Sequence, residues 1–77
     1  MNIRQILLPL AIMRCGVIEG YSKFDEFTDQ LEPHFNGGTE CSDLSDPDSA
    51  AIILQFSIIS GISLAEVTSE FVKMRGL

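Results

Sequence analysis

Between Asp25 and Asp48 the chain contains neither lysine nor arginine. Cysteine is scarce too, at two (Cys15 and Cys41), and His34 is the single histidine. No apolar run approaches the roughly 20 residues that cross a bilayer. The nearest, ILLPLAIM at residues 6–13, is interrupted by Pro9. Each shortage excludes something. Two cysteines are too few for a disulfide scaffold, so both are expected as reduced thiols in a cytoplasmic protein. Arg14 stands directly before Cys15, where a cleaved leader needs a small residue, so no membrane attachment is expected. One histidine and no Cys-x-x-Cys pair make His34, Glu40 and Cys41 a poor metal set, and no cofactor is expected.

Catalysis is not expected either. No glycine-rich phosphate loop follows a strand, and Cys15 falls in an apolar helix, where burial makes a thiol inert. A bundle of this size also leaves little room for a cleft of about 300 Å³ or more.

What the chain does have is acid and apolar bulk. The net charge is −6 over 77 residues, and 45% of the residues are hydrophobic, which suits one folded domain over residues 1–77. Residues 25–48 contribute −8 through Asp25, Glu26, Asp29, Glu32, Glu40, Asp43, Asp46 and Asp48. The remainder sums to +2, from five bases against three acids. So lopsided a field repels nucleic acid and favours a basic partner.

The punctuation predicts an all-α fold, a small compact bundle of about four helices with one long acidic loop. The first helix runs from Ile3 to about Glu19, starting or bending near Pro9, with Gly20 as its stop. The second opens at Ser22 with acids in its first turn and ends near Glu32, before Pro33. Phe24, Phe27 and Leu31 share one of its faces; Asp25, Asp29 and Glu32 share the other. PHFNGGTECSDLS, residues 33–45, reads as the loop. The third helix starts at Ser45-Asp46-Pro47-Asp48, where Pro47 suits a first turn and Asp48 meets the positive end of the dipole. AAIILQFSII follows, apolar almost all round, and is expected at the centre of the bundle. Gly61 stops it. Ser63-Leu-Ala-Glu66 then forms a capping box, with Ile62 and Val67 placed as a hydrophobic staple and Leu64, Val67, Phe71 and Met74 as a stripe.

A calcium loop counted from Asp46 fails, because Ala51 stands where glycine is needed and Ser57 where glutamate is needed. Capping accounts for Asp46 and Asp48 instead. LQFSIISGISLAEVTSEFVKMRG, residues 54–76, resembles a helix-turn-helix, which implies a DNA-binding regulator with its second helix in the major groove. Lys73 and Arg75 are the only bases there, and Glu70 stands where that family buries an aliphatic residue. Asp48-Ser49-Ala50 is similar in place to the phosphopantetheine site of acyl carrier proteins, which implies a modified Ser49. Ala50 replaces the family's leucine, and 28 residues after Ser49 are too few for its last two helices.

The function expected is therefore non-catalytic protein–protein contact, by an acidic adaptor or inhibitor of the kind phages encode, docking on a basic surface that itself binds nucleic acid. Asp25, Glu26, Asp29, Glu32, Glu40 and Asp43 would supply charge, with Phe35 and Leu44 as apolar anchors. Direct nucleic-acid and membrane contacts are not expected, and the apolar first and third helices allow a homodimer. The alternative is the helix-turn-helix regulator on residues 54–76.

Overall fold

An α-helix leaves its first amides without acceptors, and the way this chain satisfies them organises half the molecule. In the computed structural model, which describes residues 1–31 and 37–74, the first helix, α1, spans Ile3–Cys15. Asn2 Oδ1 accepts from the Gln5 amide at 2.8 Å, and Gln5 Oε1 accepts from the Asn2 amide at 2.8 Å, a reciprocal capping box. The amides of Ile3 and Arg4 donate outside the helix, to the carbonyls of Thr39 (3.0 Å) and Gly37 (2.9 Å). The Cys41 amide returns to the Met1 carbonyl at 3.0 Å. Residues 37–41 thus lie along the start of α1, joined by the isolated bridge Asn2–Glu40. A 3₁₀ turn, Cys41–Asp43, follows, with Cys41 and Leu44 buried. The described part of the expected acidic loop is therefore pinned: α1 needs the acceptors, and two apolar side chains gain burial.

The other helices are α2 (Val17–Asp29), α3 (Asp46–Ser60) and α4 (Leu64–Met74). They confirm the expected all-α bundle. Packing runs in a ring, α1 on α2, α2 on α3, α3 on α4 and α4 back on α1. The core is aromatic at its middle: Phe24 and Phe27 of α2, Phe56 of α3 and Phe71 of α4 are all buried. Phe27 meets Phe56 edge-on, with ring centroids 5.2 Å apart, a favoured aromatic geometry. Ile3, Leu7 and Val67 close the core around them. Among the described residues, no helix is long and apolar enough to cross a membrane.

Three expectations need correction. The first break falls at Gly16, not Gly20, so Ser22 lies inside α2 instead of capping it. Gly16 takes φ 89°, a region costly for any side chain, whereas Gly20 is helical and buried. A Cβ on Gly20 would sit 2.6 Å from Ile12 Cα, so this glycine is what lets α2 cross α1 backbone to backbone. α1 does not start near Pro9; it starts at Ile3, and Pro9 sits exposed within it. And α3 is not enclosed. In a ring of four helices it touches α2 and α4 on one side, which leaves Ala50, Ala51, Leu54 and Ile58 facing solvent on the other.

The other caps follow the sequence closely. Ser45 Oγ accepts from the Asp48 amide at 3.2 Å, and Gly61 ends α3 in the left-handed region at φ 76°. Ser57 Oγ donates to the Ile62 carbonyl at 2.6 Å, fixing the turn into α4. Ser63 Oγ accepts from the Glu66 amide at 3.2 Å. The box stays half made, because the Glu66 carboxylate turns to Arg14 at the end of α1.

Candidate interaction surface

Asp29 lies four residues after Asp25 and three after Glu26, which makes it a surface neighbour of both on one side of the helix. On α2 that face points away from Phe24 and Phe27, and all three acids are exposed. Together with Ser22, Lys23 and Gln30 they line an open surface depression. Lys23, just outside the base-free stretch, puts one base in its lining. Asp25, Glu26 and Asp29 form no ion pair among the described residues. Gln30 donates no charge but is held in place by the Gln55 amide at 2.8 Å, which ties the rim of the depression to α3.

The remaining expected site residues do not gather there. Glu40 is paired with the Met1 ammonium at 3.1 Å, on the side of the molecule that holds the α1 start. Asp43 is exposed in the 3₁₀ turn. Leu44, expected as an exposed anchor, is 5% exposed and belongs to the core, because the turn folds it inward beside Cys41. Glu32 and Phe35 lie outside the described residues, as does His34.

The resemblances meet specific obstacles. Ser49 is 5% exposed, a poor position for a long prosthetic arm. On α4 the exposed positions are Leu64, Ala65, Thr68, Ser69, Val72 and Lys73. Glu66 and Glu70, expected there too, are half-buried, Glu66 through its pair with Arg14. Among the described residues that surface offers one base, Lys73, and few donors to a base edge. Among the described residues, no three of His, Cys, Asp and Glu come together as metal ligands.

What sequence reasoning missed is apolar. Met13, Val17, Ile18 and Tyr21 are exposed around the α1–α2 elbow, and Leu54 and Ile58 on α3. The signal for the second pair was present: a helix apolar on every side cannot be covered on every side by three short neighbours. Comparison with protein-family models, with curated proteins and with solved structures finds no match to this chain.

Proposed function

We propose that this protein is a non-catalytic protein–protein interaction module, an acidic adaptor or inhibitor whose α2 face docks on a basic surface of a partner. One observation carries the reading: three exposed carboxylates on α2 form no ion pair among the described residues and outnumber Lys23, the one base lining the same depression. Unpaired like charges on one face repel one another and gain most when a partner brings cations to them. A basic surface built for nucleic acid is such a partner, and the cytoplasm is the compartment this reading expects. Leu44 takes no part as an anchor.

The test compares wild type with Asp25→Lys/Glu26→Lys/Asp29→Lys as immobilised baits. All three positions are exposed, so circular dichroism should stay helical. Partners that elute as salt rises and are lost by the triple variant support the reading. Partners retained equally by both baits would make the acid a solubility coat and move the contact surface elsewhere.

The helix-turn-helix reading draws support from one feature, that α4 follows the turn at Gly61 and packs on α3. The side chains on the exposed face of α4 count against it.

A further inference from the structure

The solvent face of α3 is defined by spacing. Pro47, Ala50, Ala51, Leu54, Ile58 and Gly61 recur at three and four residues and are all exposed; Ile52, Ile53 and Phe56 on the reverse side are buried. Leu54 is 51% exposed and Ile58 67%. From Ala50 to Gly61 this face carries no charge, and Asp46 and Asp48 flank only its first turn. The chain from Ser49 to Ala65 contains none in 17 residues, in a molecule whose net charge is −6. A partner with a basic surface is drawn to the opposite kind of face. An uncharged apolar face suits a partner that is itself acidic, because it is where two like-charged bodies approach with least repulsion.

The face also fits itself. Turning a second α3 antiparallel about Leu54 sets Leu54 against Leu54, Ile58 against Ala50, and Gly61 against Pro47, so each large side chain at one end meets a small residue of the other copy. Self-complementarity of this sort is what a two-fold interface requires. Antiparallel pairing further keeps the Asp46 and Asp48 carboxylates of the two copies at opposite ends of a 15-residue helix. That is about 22 Å, well beyond the ~8 Å screening length at physiological salt. Parallel pairing would crowd four carboxylates at one end.

We infer that the exposed face of α3 is a homodimer interface, in which two copies pair antiparallel about Leu54. One helix face against another lies at the small end of specific interfaces, so the dimer is weak and exchanges freely with monomer. The acidic α2 face is not part of this pairing, and each dimer would present it twice.

Sedimentation velocity on the whole protein from about 10 µM to about 1 mM tests this, because mass action makes a weak dimer concentration-dependent. The mass should rise from 8.5 kDa toward twice that value. Ile58→Glu should hold the protein monomeric with unchanged helicity, weakening self-association at least tenfold. Ala50→Lys alone should weaken it too. A mixture of the Ile58→Glu and Ala50→Lys chains should recover the dimer, since residue 50 of one copy faces residue 58 of the other. A monomer throughout the series overturns the proposal, as does a dimer indifferent to Ile58→Glu. A mixture that fails to pair, beside a wild-type dimer that Ile58→Glu dissolves, overturns the antiparallel register. None of these readings depends on the acidic face, whose triple variant should dimerise at least as well as wild type.

Discussion

Gly20 and Gly61 show that two glycines in one small protein are needed for different reasons. Gly61 adopts φ 76° with open space around it, so Gly61→Ala strains the backbone alone, at about 1 kcal/mol. Gly20→Ala has an ordinary helical backbone but drives its methyl into the Ile12 main chain, which cannot swing aside. Overpacking of that kind costs about 2–3 kcal/mol. Thermal unfolding should show it as a drop of at least about 10 °C, larger than for Gly61→Ala. Leu44 gives a second residue-level check. Leu44→Ala should destabilise by about 2–3 kcal/mol in urea titration, as a buried leucine does, and should not selectively weaken a partner complex. Loss of binding with stability intact would return Leu44 to the role of anchor.

At the level of the helices, the caps were largely legible and the packing was not. Ser45, Gly61 and Ser63 announce their roles through local hydrogen bonding, which depends only on neighbours in sequence. Choosing Gly16 over Gly20 as the α1 stop required knowing which helix would cross the other closely, a long-range fact. A local hint existed in Arg14, a base in the last turn before Gly16. The exposure of Leu54 and Ile58 depends on how many neighbours surround α3, so composition alone read them as core. On the candidate site, exposure of Asp25, Glu26 and Asp29 followed from their spacing against Phe24 and Phe27, while Leu44 did not, because its burial rests on residues 37–41 being tied to α1. The half-made box before α4 gives a clear expectation. Ser63→Ala should cost about 1 kcal/mol, whereas Glu66→Ala should cost between about 0 and 1, since its carboxylate makes a partly exposed pair with Arg14. Chemical denaturation of both variants separates them; equal losses near 1 kcal/mol or more would mean Glu66 caps the helix after all.

For the molecule as a whole, charge is segregated: acid is concentrated in the middle third, on α2 and up to the first turn of α3, and none follows from Ser49 to Ala65. DNA should therefore bind weakly and without sequence preference, because the field repels phosphates and the exposed face of α4 offers Lys73 alone among its described residues. Gel-shift titration at physiological salt is the check, and a nanomolar, sequence-specific complex would promote the helix-turn-helix reading.

The attachment of residues 37–41 to the start of α1 also supplies a built-in reporter. Opening amides of a helix ordinarily trade their hydrogens with solvent at once, since nothing holds them. Here those of Ile3 and Arg4 are held by carbonyls more than thirty residues further along the chain. In deuterium they should exchange slowly, at the pace at which residues 37–39 let go, and together with the Cys41 amide. Any event that lifts that segment, whether heating, mutation or the arrival of a partner, would be read first at the opposite end of the sequence, as a sudden loss of protection at residues 3 and 4.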